Sequence, residues 1–144
     1  MVPFLRAVKF EEVDAAGIVF FACFSSYAHE AMEHFFGALP GGYPDLIMRR
    51  RIGLPAVELT ARFLAPLRYG DALRIETTTA ELGRRSARLH YRMLRQSDGV
   101  LAAEIFHKVV TTKLEAVRSC DMPEDVRAIF TAHLASPAAA PRGG

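Results

Sequence analysis

The chain has 144 residues, 51% of them apolar, and carries 18 basic against 16 acidic side chains for a net charge of +2. That length suits one domain around one core, and the apolar share excludes a chain disordered throughout. The near balance of charge gives no general reason to invoke nucleic acid, although a local basic patch could still hold an anionic ligand.

Residues 5–13 read as a first strand, apolar at Ala7 and Val8 just after Phe4 but with imperfect alternation. The run Asp14-Ala15-Ala16-Gly17 breaks it, because Asp and Gly favour turns. Residues 18–36 then hold neither Pro nor Gly. Their apolar positions include Val19, Phe20, Phe21, Phe24, Tyr27, Ala28, Ala31, Met32, Phe35 and Phe36, which at helical spacing cover more than one stripe. This predicts a long, buried helix. Residues 37–44, with their prolines and glycines, end it. Four strands are expected next, over 54–64, 72–82, 86–95 and 100–113. They are separated by a turn at Pro66–Asp71, by Gly83, and by the hairpin signal Ser97-Asp98-Gly99. In the third of them Ala87, Leu89, Tyr91 and Met93 fall on one face and Arg88, His90 and Arg92 on the other. Residues 123–134 predict a short terminal helix. The domain is expected to span 1–134, with 135–144 a disordered tail rich in Ala, Pro and Gly.

One strand, one buried helix and a run of antiparallel strands define an α+β chain. The apolar face of such a sheet must be covered, and the long helix is the element able to fill it. A hotdog fold follows, a curved antiparallel sheet wrapped around one central helix. The long last strand offers an edge for self-association. No basic stretch followed by an apolar run opens the chain, and no apolar run approaches the ~20 residues that span a bilayer. Two cysteines, Cys23 and Cys120, set no disulfide framework. A cytoplasmic protein with no membrane association is expected.

The stretch Phe10-Glu11-Glu12-Val13-Asp14-Ala15-Ala16-Gly17-Ile18-Val19-Phe20-Phe21 resembles the signature of the 4-hydroxybenzoyl-CoA thioesterase family, whose core is Asp-x-x-Gly-x-Val. A second stretch, Phe63-Leu64-Ala65-Pro66-Leu67-Arg68-Tyr69-Gly70-Asp71, resembles that family's Pro-x-x-x-Gly-Asp turn. The likeness covers about residues 5 to 130. It implies a thioesterase acting on an aromatic (benzoyl or 4-hydroxybenzoyl-like) or short-chain acyl-CoA, working as a homodimer or homotetramer. Asp14 is then the catalytic carboxylate. The backbone N–H of Phe21 polarises the thioester carbonyl, and Gly17 allows close approach. Arg84, Arg85 and Ser86 meet the coenzyme A phosphates, and His29 lies beside the distal end of the acyl group. The family pattern departs at Cys23-Phe24, where Asn-Tyr is common, and at His29, where an acidic residue is usual.

The residues themselves fit that chemistry. Thioester hydrolysis needs a nucleophile or general base at the carbonyl and donors for the oxyanion. A carboxylate in the turn before a helix stands next to N–H groups that have no intrahelical partner and that mark the positive end of the helix dipole. The plainer role for Asp14 is a turn or N-cap aspartate. Glu30 and Glu33 are its rivals, since other hotdog thioesterases place their carboxylate on the long helix. His29 and His34 stand five apart rather than the four a helical zinc motif needs, so no metal is implied, and no redox cofactor either. Cys23 reads as core and Arg49-Arg50-Arg51 as a solvated loop. A non-catalytic acyl-CoA-binding module is the alternative function. A hydratase would need a histidine about five residues after the aspartate, where Val19 stands.

Overall fold

The computed structural model describes residues 1–136. The first strand, β1, runs Val2–Ala7, three residues earlier at its start than expected and six shorter at its end. It stops because Val8 turns away, donating its N–H to Asp71 O at 2.9 Å. Phe10–Glu12 then form a short 3-10 helix, which the Glu12 carboxylate closes by accepting the Lys9 N–H at 2.7 Å. The central helix α1 spans Cys23–Phe35, not 18–36. Residues 13–19 instead make a narrow hairpin in which Val13 bridges Val19 in antiparallel fashion. Helical hydrogen bonding starts only when Phe20 O accepts the Cys23 N–H at 2.9 Å.

The segment expected to be a simple break holds a second helix, α2 (Gly42–Met48). Gly41 sits before it at φ 76, a conformation natural to glycine. Pro44 is tolerated in its first turn because N–H groups there have no helical acceptor to lose. After β2 (Ile52–Gly53) come β3 (Ala56–Phe63), β4 (Ala72–Leu82), β5 (Ser86–Arg95) and β6 (Leu101–Val110), close to the expected strands. The long last strand is divided at Thr111, leaving β7 (Thr112–Lys113), which joins β2 and β8 (Arg118–Ser119) in a small second sheet. Helix α3 covers Glu124–Ala132.

The main sheet has the order β1-β4-β5-β6-β3 with every pair antiparallel. β6 is therefore interior. The expectation that the last strand forms a pairing edge is corrected: β3 crosses to the far side of β6, so the two edges are β1 and β3. The hotdog architecture itself holds. Phe24, Tyr27, Ala28, Ala31, Met32 and Phe35 of α1 join Leu73, Ile75, Leu89, Tyr91, Met93 and Ile105 of the sheet in one core. Burying the apolar faces of helix and sheet together is what curves one around the other. Only β3 escapes this cover, with Leu59 45% and Phe63 51% exposed. At the other end Ala135 N–H donates to Thr79 O at 2.8 Å, and the expected tail beyond residue 136 lies outside the described residues.

Candidate active site

Asp14 stands at the tip of the hairpin that precedes α1. Its backbone N–H donates to Ile18 O at 3.0 Å, its carbonyl accepts the Gly17 N–H at 2.9 Å, and its Oδ1 accepts the Ala16 N–H at 2.8 Å. Gly17 is held at φ 81. A Cβ there would meet nothing within 4 Å, so within this chain the glycine serves the left-handed turn and not a tight approach. The carboxylate is exposed and its Oδ2 has no partner among the described residues.

The hairpin rests on the turn before β4, since Val19 N–H donates to Leu67 O at 2.8 Å. Between these two loops, α1 and the end of β3 lies a cavity of about 560 Å³. Asp14, Val19, Phe21, Phe24, Phe63 and Leu67 are among the residues that line it. Its walls are largely apolar and include a cluster of three aromatic rings: Phe24 and Phe63 meet edge to face at 5.2 Å, and Phe21 and Phe63 at 6.3 Å. No carbonyl or side chain among the described residues accepts the Phe21 N–H. A carboxylate and an unengaged amide at a helix start thus share one apolar cavity. This is the pairing that attack at a carbonyl requires.

Other candidates fall elsewhere. Glu30 turns toward β1, where its Oε1 accepts from Arg6 Nε at 3.2 Å, while the cavity lies on the β3 side. Glu33 is exposed and does not line the cavity. Neither rival reaches Asp14's site. His29 is exposed, edge-on to Tyr43 at 6.3 Å, and lies outside the cavity wall. Burial, and then the charge of His29, pushes the His107 imidazole below its usual range; His107 lies opposite Leu59 of β3. Arg84 and Arg85 sit in the β4–β5 turn and share Asp121, with contacts of 3.0 and 2.9 Å. Ser86 opens β5 beside them. This turn is at the far end of β4 from Asp14, and the strand between is eleven residues long, ten steps of ~3.3 Å or about 33 Å end to end. The chain does not bring its own Arg84, Arg85 and Ser86 to its own Asp14.

Two features escaped the sequence reading. Phe63 and Leu64 were read as the end of a strand running into the family's turn motif, and it is the uncovered edge position of β3 that makes them cavity wall. A buried ionic cluster also lies behind the hairpin: Arg6 forks onto Glu12 through two 2.9 Å bonds, and Tyr27 donates its hydroxyl to Glu12 at 2.9 Å. The alternation of β1, which turns Arg6 inward with Phe4, was the available signal.

A curved sheet around one helix, with a carboxylate hairpin at the helix start, defines the class as hotdog-fold thioesterases. Residues 8–130 match the thioesterase-like superfamily. A 1,4-dihydroxy-2-naphthoyl-CoA hydrolase of Synechococcus elongatus is 34% identical over 105 residues, 72% of this chain and 77% of that protein. Among solved structures, a gentisyl-coenzyme A thioesterase superposes with a TM-score of 0.80 at 33% identity, covering 90% of this chain and 99% of that one. A 4-hydroxybenzoyl-CoA thioesterase bound to its substrate shares the fold at a TM-score of 0.80 and 24% identity, over 90% and 97% of the two chains. The chain belongs to the thioesterase-like superfamily, and hydrolysis of CoA thioesters is accordingly its class of activity, as the sequence motifs imply.

Proposed function

We propose that this protein hydrolyses an aromatic acyl-CoA thioester to the free acid and CoA, with Asp14 as the catalytic carboxylate and the Phe21 N–H as oxyanion donor. The observation that carries this reading is the meeting of Asp14 and the unengaged Phe21 N–H in one cavity walled by Phe21, Phe24 and Phe63. Edge-to-face aromatic walls suit a flat acyl ring. With Oδ1 tied to Ala16 N–H, Oδ2 is the oxygen left to attack the carbonyl or to take a proton from water. The Phe21 N–H donates to the oxyanion that develops on the carbonyl oxygen, and collapse of the tetrahedral species expels the CoA thiolate; by the attack route this leaves an Asp14 acyl anhydride that a water then hydrolyses, and by the base route it gives the acid directly. The names of the similar proteins, which act on naphthoyl, gentisyl and hydroxybenzoyl thioesters, favour an aromatic acyl group over a short aliphatic one.

The reading includes a homodimer joined through β3, in one domain and in the cytoplasm. β3 is an edge with half-exposed Val57, Leu59 and Phe63, and bare edges of that kind invite pairing. Two copies of β3 paired antiparallel about a twofold axis set the Phe63 end of one beside the Ala56 end of the other. Ala56 pairs with Val109, which pairs with Ala87. The β4–β5 turn of the second copy thereby stands three strand spacings, about 14 Å, from the first copy's Phe63 at the cavity mouth. Arg84, Arg85 and Ser86 then serve the CoA phosphates in the partner's site, which resolves their separation from Asp14. Further pairing to a homotetramer is compatible with this dimer. Among the described residues no helix is long and apolar enough to cross a membrane.

The test is an acyl-CoA panel with detection of the released thiol. Benzoyl-, 4-hydroxybenzoyl- and larger aromatic CoA esters should turn over faster than acetyl-CoA. Saturable binding of these esters by folded protein without thiol release would instead make the chain a non-catalytic acyl-CoA-binding module.

A further inference from the structure

We propose that Glu12, clamped by Arg6 and Tyr27, is a positioning residue that sets Asp14 and the Phe21 N–H in register for the reaction; this rests on the roles given to those two groups above. Glu12 accepts four hydrogen bonds, two from Arg6, one from Tyr27 and one from the Lys9 N–H. Arg6 also reaches Glu30 on α1, and its guanidinium carbon lies 4.1 Å from the centre of the Tyr27 ring. The side chains of Arg6 and Glu12 are only 6% and 13% exposed. Burial opposes the ionised carboxyl, yet the bonds from Arg6, Lys9 and Tyr27 prevail and hold Glu12 at about 2. One carboxylate thus binds β1, the 3-10 helix and the second turn of α1 together.

The position of that carboxylate in the chain gives the clamp its consequence. The Glu12 carbonyl accepts the Phe20 N–H at 2.9 Å, and the Val13–Val19 bridge follows. Asp14 is two residues beyond Glu12, and Phe21 is the residue after Phe20. Both reacting groups therefore hang from a two-stranded stem whose base is Glu12. Asp14 and Phe21 are themselves exposed, so the stem is held from its two strands: by Val19, buried and bonded to Leu67 O, on one and by the Glu12 clamp on the other. A buried ion pair is a weak source of stability, because apolar residues of similar size often serve as well. Its directed bonds do supply an orientation that apolar packing lacks, and a misplacement on the order of 1 Å at a reacting group costs about a hundredfold in rate.

The experiment compares Arg6→Met/Glu12→Leu with wild type, Tyr27→Phe and Asp14→Asn by thermal melting and by kcat and KM on one aromatic acyl-CoA. The double variant removes both charges together and should melt close to wild type. Its kcat should fall by about 30-fold or more while KM stays within about threefold, since the cavity is untouched. Tyr27→Phe deletes one hydroxyl and no charge, and should lower kcat by about fivefold with KM unchanged. A folded double variant with wild-type kcat overturns the positioning role. Should that variant fail to fold, wild-type kcat in Tyr27→Phe overturns it equally. Asp14→Asn separates the two levels: its full turnover overturns the role given to Asp14, whereas its inactivity beside an unaffected double variant overturns only the clamp.

Discussion

Replacing Asp14 with Asn tests the reaction at its centre. The side chain is exposed at the hairpin tip, and Asn retains an oxygen to accept the Ala16 N–H now bonded at 2.8 Å. The fold should therefore be unchanged, with stability within about 0.5 kcal/mol of wild type. The cavity walls, made by Phe21, Phe24, Phe63 and their neighbours, are not altered, so KM should stay within about threefold. The amide can neither attack a thioester carbonyl nor take a proton from water. Loss of that one function should lower kcat by on the order of 10³, a barrier increase of about 4 kcal/mol. The oxyanion donor at Phe21 would remain and account for residual turnover. The assay is continuous detection of CoA thiol on an aromatic acyl-CoA, with single-turnover measurements to isolate chemistry from release. A kcat within tenfold of wild type would refute the reasoning. Glu30 would not inherit the role, because it is engaged with Arg6 on the β1 side.

Arg84→Ala/Arg85→Ala should raise KM more than it lowers kcat and weaken the salt dependence of KM. Mixing that variant with Asp14→Asn chains should restore part of the low-KM activity, since a mixed dimer rebuilds one site from Asp14 of one chain and the arginines of the other; two weak homodimers that show no gain on mixing would sink the shared site. His29 is exposed and lies outside the cavity wall, so His29→Ala should keep its melting temperature and leave the ratio of kcat/KM for benzoyl-CoA and 4-hydroxybenzoyl-CoA unchanged; a shifted ratio would return His29 to the acyl pocket. In the wild type these two values should lie within roughly tenfold, about 1.4 kcal/mol; a larger gap would show a site built around the hydroxyl. Glu12 should impose an acid limit on stability. Its carboxyl is held at about 2 in the fold against about 4.3 when unfolded, so its contribution is full above about pH 5 and fades as pH falls toward 2. Melts from pH 7 to pH 3 should show Arg6→Met/Glu12→Leu less acid-sensitive than wild type, and parallel curves would count against the clamp.

The charged outer face of the sheet bears on assembly beyond a dimer. Arg74 and Arg92 both pair with Glu76, and Glu104 receives His90 at 2.6 Å and Arg62 at 3.9 Å. Such pairs on a solvated face contribute little individually. They do keep that face polar while the opposite face is mostly apolar, with Thr77, Thr79 and His107 buried among its apolar residues, which fixes on which side α1 must lie.

Much of this protein was legible along the chain. Alternation placed Ala87, Leu89, Tyr91 and Met93 on one face of β5, and all four are buried, because a strand with one covered face repeats every two residues. The crowded apolar positions between Phe24 and Phe35 announced a central helix, because a helix enclosed by a curved sheet has little polar circumference. Asp14 and the turn at Pro66–Asp71 marked the place of the candidate site, and both line its cavity, since turns depend on a few neighbouring residues. Contacts between residues far apart in sequence had no such local signature. Val19, Phe20 and Phe21 matched a helix pattern equally well, and the antiparallel pairing of Val13 with Val19 decided against it. β3 read as one more strand until the order β1-β4-β5-β6-β3 put it at an edge and turned Phe63 into cavity wall. Arg84 and Arg85 matched a phosphate-binding turn, yet only the length of β4 showed that they stand at the wrong end of their own chain. Spacing along a sequence reports which way a side chain points, whereas the partner it meets is settled by how the elements pack.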